Sequence, residues 1–93
     1  MSIKVETETS EYELTQVEDR LKLQKVSIKT GCISKVPVGE TFFANVVEVS
    51  IYCIGSSRYS LVFGDMHTSP IKNVYEVNKW LVGVKEDYLN KLD

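Results

Sequence analysis

Residues 46–54 read VVEVSIYCI and form the most hydrophobic stretch of this 93-residue chain. Apolar residues recur at every second position within it, which is the period of a β-strand with one buried face. The side chains predicted for that face are Val47, Val49, Ile51 and Cys53. Residues 46, 48, 50, 52 and 54 fall on the other face, which we expect to be only partly covered. The stretch therefore predicts a central strand of a sheet.

Two further strands are predicted directly after this stretch. Residues 55–58, Gly-Ser-Ser-Arg, have the composition of a hairpin connection, and Tyr59, Leu61 and Phe63 then alternate as the apolar face of the next strand. Gly64-Asp65 is a Gly-X pair typical of a type II′ turn, so we expect residues 66–71 to return antiparallel. Pro70 lacks a backbone donor, which marks an edge strand or a strand end.

These strands give a predicted core with a measurable consequence. The residues that we expect to be buried together are Val47, Val49, Ile51, Leu61 and Phe63. If Ile51 is among them, Ile51→Ala costs about 2–5 kcal/mol of stability.

The first half of the chain also alternates with a period of two. Ile3, Val5 and Thr7 share one face of a first strand, and Tyr12 and Leu14 share one face of a second. A turn is predicted at Glu18-Asp19, and the period slips between Leu23 and Val26, which indicates a bulge or a bend. Residues 36–39 should form a loop or an edge, and residues 42–44 a short strand or a bend.

Composition favours the same fold class. The chain has one alanine, Ala44, against 13 valines, 6 isoleucines and 6 threonines, and β-branched side chains suit a pleated sheet. At the C-terminus, Val77, Leu81, Val84, Tyr88 and Leu92 follow helical spacing, although residues 80–84 would also suit a strand. We predict a single mostly β domain over residues 1–93. Its antiparallel sheet of about six strands curls into a partly open barrel, and a short C-terminal helix begins near Asn78, as a cap, or Lys85.

Several classes of protein are disfavoured by what the sequence lacks. No apolar run is long enough to cross a membrane, and the N-terminus has no apolar segment typical of a signal peptide. The net charge of −2 lacks the basic excess of most nucleic-acid-binding proteins. We therefore expect a cytoplasmic protein without a membrane or nucleic-acid partner.

The sequence predicts no metal, cofactor or catalytic residue. Cys32 and Cys53 sit among apolar neighbours and are expected as buried reduced thiols, with a disulfide the less favoured alternative. There is no C-x-x-C motif, and the five glycines form no phosphate-binding pattern. His67 is the only imidazole and no G-x-S-x-G motif is present, so we disfavour an enzyme built around His67.

A candidate ligand site is predicted at one end of a hairpin. Antiparallel pairing of residues 58–63 with residues 66–71 should bring the Arg58 end close to Lys72. The residues assigned to this predicted rim are Ser56, Ser57, Arg58, His67, Ser69 and Lys72, beside Thr68. Two cations and several hydroxyls would suit a small anionic ligand such as a phosphate. The alternative, which we weigh more heavily, is an ordinary solvated hairpin end.

Charge is distributed unevenly along the chain. Residues 1–19 carry a net charge of −5 and residues 20–93 a net charge of +3. This asymmetry suits a basic partner or head-to-tail self-association, and it also suits two charged regions that neutralise each other within one molecule. Because a chain this short has a thin stability margin and open sheet edges, we expect a homo-oligomer, most simply a dimer.

Two segments carry a resemblance to known proteins: residues 3–14, IKVETETSEYEL, and residues 68–71, TSPI. An opening strand that runs into Ser-x-Tyr-x-Leu, with a late Thr-Ser-Pro-Ile strand, resembles small β-rich accessory proteins of bacteriophages and prophages. The resemblance implies a bacterial host cytoplasm, and it assigns no role to any residue.

Three functions are weighed from the sequence. The first is a non-catalytic protein that inhibits or sequesters a host component, such as a defence protein or its nucleotide signal. The second is a small-ligand or oligonucleotide-binding barrel with a housekeeping role. The third is an enzyme that depends on His67. The sequence favours the first by elimination and by resemblance.

Overall fold

The computed structural model describes residues 2–34, 36–45 and 47–92, with side chains described as far as Glu86. Within these ranges, seven strands precede one helix. The elements are β1 (Ser2–Glu6), β2 (Ser10–Val17), β3 (Arg20–Ile28), β4 (Thr41–Ala44), β5 (Val47–Ile51), β6 (Tyr59–Phe63), β7 (Met66–His67) and α1 (Val74–Leu92). The protein is mostly β, as its composition predicts. Residues 42–44, predicted as a short strand or a bend, lie in strand β4.

The strands form two antiparallel sheets, where the sequence predicted one curled sheet of about six strands. The first sheet has the order β1-β2-β3-β4, and the second has the order β5-β6-β7. An isolated bridge between Thr7 and Ile71 joins the two sheets. Beside it, the Glu8 N–H donates to the Pro70 carbonyl and the Lys72 N–H donates to the Glu6 carbonyl. No closed barrel is formed by the described strands.

Both predicted two-residue turns are confirmed. Val17 pairs with Arg20 across Glu18-Asp19, and Phe63 pairs with Met66 across Gly64-Asp65. Gly64 has a φ of 62°, whereas Asp65 does not have a positive φ. A positive φ at the first central residue alone is the pattern of a type II′ turn, for which glycine is the natural residue.

The predicted slip in β3 is a bulge at Val26. Tyr12 pairs with Lys25 and Glu11 pairs with Ser27, so Val26 has no partner in β2. The extra residue changes which side chains face inward. Lys25 is buried at 1% exposure and Val26 is exposed at 51%. Apolar–polar alternation after the slip would place Val26 inward and Lys25 outward, and the structure has the reverse.

The core lies between the two sheets and one face of α1. Its buried apolar residues are Val5, Tyr12, Leu14, Leu21, Leu23, Val47, Leu61, Phe63, Ile71, Val77, Leu81 and Val84. Of the five predicted core residues, Val47, Leu61 and Phe63 are buried and Val49 is partly buried. Ile51 is 54% exposed, so its predicted burial is wrong. Val46, predicted for the opposite face, lies outside the described residues.

Ile51 is exposed because it lies at the end of β5, opposite Tyr59, which is also exposed. β5 pairs only with β6, whereas β6 lies between β5 and β7. The predicted central strand is thus an edge strand, and β6 occupies the centre. β5 ends at Ile51, and Cys53 is exposed in the connection that follows. Both cysteines are free thiols, as predicted, but Cys32 is only half-buried, so their predicted burial is wrong.

The C-terminal helix is longer than predicted, with 19 residues, and it begins at Val74 instead of near Asn78 or Lys85. The Val77 N–H donates to the Asn73 carbonyl, which starts the helix. The Asn73 side chain meanwhile bonds strand β1, accepting from the Glu6 N–H and donating to the Lys4 carbonyl. This tertiary contact fixes the start, because residues 74–77 have weak helix propensity.

The helical stripe itself is confirmed where side chains are described. Val77, Leu81 and Val84 are buried, while the side chains of Tyr88 and Leu92 lie outside the described part of the chain. Among the residues that the structure describes, no helix is both long and apolar enough to cross a bilayer.

Candidate functional site

A cleft of about 590 Å³ lies in the described surface, and no predicted site residue lines it. It lies between the β2–β3 turn, the start of β5 and the second half of α1. Its lining residues are Gln16, Asp19, Arg20, Leu21, Asn45, Val47, Glu48, Leu81, Val84 and Lys85. Four of them, Leu21, Val47, Leu81 and Val84, are buried core residues that give the cleft an apolar floor.

Charged side chains of both signs surround this floor. Asp19 and Arg20 come from the β2–β3 turn, Glu48 from β5 and Lys85 from α1, and all four residues are exposed. The Arg20 guanidinium lies over the Phe43 ring, 4.8 Å from its centroid. The cleft therefore offers apolar surface at its base and mixed charge at its mouth, and its volume lies within the range of about 300–1,000 Å³ usual for ligand pockets.

Strand β5 is an edge strand of its sheet. The Tyr52 N–H donates to the Arg58 carbonyl, so by alternation the amides of Ser50 and Glu48 also point toward β6. The N–H and C=O groups of Val49 and Ile51 then point away from β6. Val47 and Glu48 at the start of β5 line the cleft, and no residue of β6 does.

Hydrogen bonds on the other side of β6 agree with this alternation of backbone groups that point toward and away from β6. The carbonyls of Tyr59 and Leu61, which lie opposite Ile51 and Val49, accept from the Ile71 and Thr68 N–H groups. Within the described ranges, no hydrogen bond uses the outward N–H groups of Val49 and Ile51.

The end of the β5–β6 hairpin is apolar on both faces. Its exposed large apolar residues are Ile51, Tyr52, Ile54 and Tyr59, with exposures of 54%, 42%, 104% and 40%. Ile51 and Tyr59 lie directly opposite each other in the ladder. We call these four residues and Arg58 the hairpin end. Large exposed apolar groups of this kind mark interaction surfaces when they cluster.

The predicted ligand rim is partly assembled. The Ile71 N–H donates to the Tyr59 carbonyl at 2.7 Å, so the Arg58 end and Lys72 do belong to neighbouring segments. However, Arg58 Nη1 donates to both carboxylate oxygens of Glu8, at 3.2 and 3.1 Å. Its guanidinium also lies 5.5 Å from the centroid of the Tyr52 ring. The guanidinium is therefore already paired with an anion of the same chain.

The hydroxyl groups predicted for this rim have intramolecular partners. Ser56 Oγ accepts from the Arg58 N–H at 3.0 Å and so closes the turn, while Ser57 is exposed beside it. Ser69 Oγ and Thr9 Oγ1 share a hydrogen bond of 3.0 Å. These contacts explain the hydroxyls structurally and leave their predicted ligand role as a prediction.

The polar run His67-Thr68-Ser69 does not form one cluster. His67 is exposed and pairs with Val62, whereas Thr68 is buried. The Thr68 hydroxyl accepts from the Leu61 N–H and donates to the Ser69 carbonyl. Adjacent side chains on an extended segment point to opposite sides, so the run is divided between surface and core.

Lys25 is a buried cation that the sequence alternation did not reveal. Its amine donates to Ser34 Oγ and lies 5.8 Å from the centroid of the Tyr12 ring. Burial lowers the pKa of the Lys25 amine, and burial raises the pKa of the Tyr12 hydroxyl. The Val26 bulge is the only sequence signal that bears on Lys25, because it reverses the face on which Lys25 lies.

Two ion pairs connect the acidic N-terminal region to later basic residues. Glu6 pairs with Lys29 at 3.5 Å, and Glu8 pairs with Arg58 at 3.1 Å. This supports the alternative in which the uneven charges neutralise each other within one molecule. Among the described residues, no group of three or more His, Cys, Asp and Glu side chains is placed to hold a metal ion.

No protein-family model, curated protein or solved structure matches this chain.

Proposed function

We propose that this protein acts by non-catalytic binding, and that the hairpin end contacts a partner protein. The observation that carries the proposal is the exposure of four large apolar side chains at one end of one hairpin. Tyrosine and arginine are enriched among the residues that dominate protein interfaces, and Tyr52 and Arg58 already stack in the unbound protein. A side chain held in place before binding loses less conformational freedom when a partner arrives.

The class of partner is inferred from the ion pair that Arg58 already makes with Glu8. A small anion, such as a nucleotide signal, would have to compete with Glu8 for the guanidinium. This favours a protein over a small anionic ligand. The resemblance to phage accessory proteins supports a host protein, such as a defence component in the bacterial cytoplasm, that is inhibited or sequestered by this contact.

We also propose that the two sheets form a partly open barrel, with the cleft as its opening. The Thr7–Ile71 bridge joins the sheets on one side, and a short connection from Ala44 to Val47 joins them on the other. Self-association into a homo-oligomer stays part of the proposal, supported by the open edge of β5. Sedimentation equilibrium tests it, and a monomer mass at all micromolar concentrations contradicts it.

The binding proposal is tested with a hairpin variant and a matched helix variant. Tyr52→Ser with Ile54→Ser removes two apolar groups of the hairpin end. Tyr75→Ser with Val82→Ser removes two exposed apolar groups of α1 and is the control. The tagged parent and both variants are expressed in bacterial cells, purified and examined by native mass spectrometry.

We expect the parent and the helix variant to retain the same partner protein, and the hairpin variant to lose it with unchanged thermal unfolding. Retention of that partner by the hairpin variant contradicts the proposal, as does a parent that carries no partner.

A further inference from the structure

We propose that Ser34 and Lys25 form a pair of nucleophile and general base that hydrolyses small apolar acyl esters, an activity separate from the contact at the hairpin end. The Lys25 amine is hydrogen-bonded to Ser34 Oγ. A serine hydroxyl becomes an effective nucleophile when a base beside it takes its proton. Serine–lysine pairs are one recurring form of this arrangement, and they need a lysine whose amine is neutral.

The surroundings of Lys25 favour the neutral amine. Lys25 is 1% exposed, and among the described residues no carboxylate lies within ion-pair distance of it. Tyr12 lies beside the amine, with its ring centroid 5.8 Å away, and burial raises the pKa of its hydroxyl, which keeps it uncharged. Burial also lowers the pKa of the Lys25 amine. A larger share of this amine is therefore neutral than of an exposed lysine at the same pH.

The segment between β3 and β4 holds Ser34 against the amine. The Lys25 N–H donates to the Glu40 carbonyl at 3.0 Å, and the Gly39 N–H donates to the Lys25 carbonyl at 2.9 Å. The Val36 N–H donates to Ser34 Oγ at 3.3 Å, and the Ser34 hydroxyl can donate to the Val36 carbonyl at 3.4 Å. Ser34 is half-buried, so the segment places the serine nearer to solvent than the lysine behind it.

The proposed reaction transfers an acyl group to Ser34 and then to water. The Ser34 hydroxyl proton passes to the Lys25 amine while Oγ bonds to the acyl carbon. The bond between this carbon and the leaving alcohol then breaks, and the Lys25 ammonium gives its proton to the alcohol. Water next attacks the acyl-serine and gives a proton to Lys25. The carboxylic acid leaves as Ser34 Oγ recovers that proton.

The class of acyl group is inferred from the exposed side chains of the same segment. Ile33, next to Ser34, is 96% exposed, and Val38 is 55% exposed. Contact with an apolar acyl chain would remove part of this apolar surface from water, which is favourable. We therefore expect butyrate esters to react faster than acetate esters.

The test uses two probes on the purified full chain. A fluorophosphonate bonds through phosphorus to an activated serine oxygen with loss of fluoride, and peptide mapping locates the label. Hydrolysis of p-nitrophenyl butyrate measures turnover. Ser34→Ala removes the nucleophile, and Ser57→Ala, at an exposed loop position, is its control. Lys25→Arg keeps a hydrogen-bond donor for Ser34 but cannot accept a proton, and Lys22→Arg is its control.

We expect the label on Ser34 of the parent. Ester hydrolysis should be at least about 100-fold slower for Ser34→Ala and Lys25→Arg than for their controls, which is the usual contribution of a general base. A parent without label on Ser34 overturns the proposal, as does equal hydrolysis by Ser34→Ala and Ser57→Ala. Parent-like labelling of Lys25→Arg also overturns it, because that variant retains only the structural hydrogen bond. If Lys25→Arg fails to fold, the Ser34 and Ser57 pair decides.

The same probes separate this activity from binding at the hairpin end. Tyr52→Ser with Ile54→Ser should lose the partner protein and still be labelled at Ser34 at the parent rate. Loss of the label from this variant, with unchanged thermal unfolding, contradicts an independent site at Ser34.

Discussion

Arg58 and Glu8 are fifty residues apart in sequence, and Arg58 Nη1 donates to both carboxylate oxygens of Glu8. The pair connects the end of the β5–β6 hairpin to the segment between β1 and β2. It also holds the guanidinium beside the Tyr52 ring. Because both side chains are about half-exposed, we expect the pair to orient Arg58 more than it stabilises the fold.

The first prediction concerns this pair. Glu8→Gln removes the carboxylate that competes for Arg58, so we expect it to strengthen the binding of inorganic phosphate at the predicted rim of Arg58, Ser69 and Lys72. We expect stability to fall by no more than about 1 kcal/mol, as for other exposed pairs. The affinity is measured by titrating phosphate and monitoring NMR chemical shifts. Glu13→Gln, at an exposed position of β2, is the control. Equal phosphate affinity in both variants contradicts the rim as an anion site.

A second prediction compares the stability effects of substitutions at a buried residue and an exposed residue of the β5–β6 hairpin. Leu61 is fully buried in β6, so Leu61→Ala should cost about 2–5 kcal/mol of unfolding free energy. Ile51 is more than half exposed, so Ile51→Ala should change stability by less than about 0.5 kcal/mol. Urea denaturation measures both. A loss of several kcal/mol for Ile51→Ala would show that the end of β5 is covered.

The third prediction concerns the pH dependence of stability. Burial lowers the pKa of Lys25, so the unfolded chain binds this proton more readily than the folded protein does. The free energy of unfolding should therefore rise with pH between the lowered pKa and the ordinary value of about 10.4. The raised pKa of Tyr12 acts in the opposite sense, and its contribution to stability is lost as pH rises above about 10.

Lys25→Met isolates the lysine contribution. We expect a smaller slope of unfolding free energy against pH than in the parent, measured by urea denaturation between about pH 7 and 9.5, below the ordinary tyrosine pKa. Lys22→Met, at a position on the opposite face of β3, is the control and should keep the parent slope. An equal slope in Lys25→Met and in the parent would show that Lys25 is not the source of this pH dependence.

A fourth prediction contrasts two glycines. Gly64 has a φ of 62°, so Gly64→Ala should destabilise the β6–β7 turn by about 1 kcal/mol, although a Cβ there meets only Ala44 at ordinary contact distance. Gly83 lies within α1 with open space around it, so Gly83→Ala should stabilise the protein by about 0.5–1 kcal/mol. Thermal unfolding of the two variants should shift in opposite directions, and shifts of the same sign would refute the assigned conformations.

The local features of this fold were predictable from the residue pattern. Period-two alternation identified the strands, Gly64-Asp65 and Glu18-Asp19 identified two tight turns, and the slip before Val26 identified the bulge. These features depend on φ preferences and on the alternation of neighbouring side chains, both of which act within a few residues. The buried stripe Val77, Leu81 and Val84 was visible for the same reason.

Which of those surfaces are covered depends on how distant segments pack together. Alternation assigns Ile51 and Leu61 to equivalent faces, but Ile51 ends β5 opposite exposed Tyr59 whereas Leu61 lies in the middle of β6, so Leu61 is buried and Ile51 is not. The start of α1 depends on Asn73 binding β1, a contact across nearly seventy residues. The cleft needs the β2–β3 turn, β5 and α1 together. Long-range pairing sets these positions, and a local residue pattern contains no information about which segments will meet.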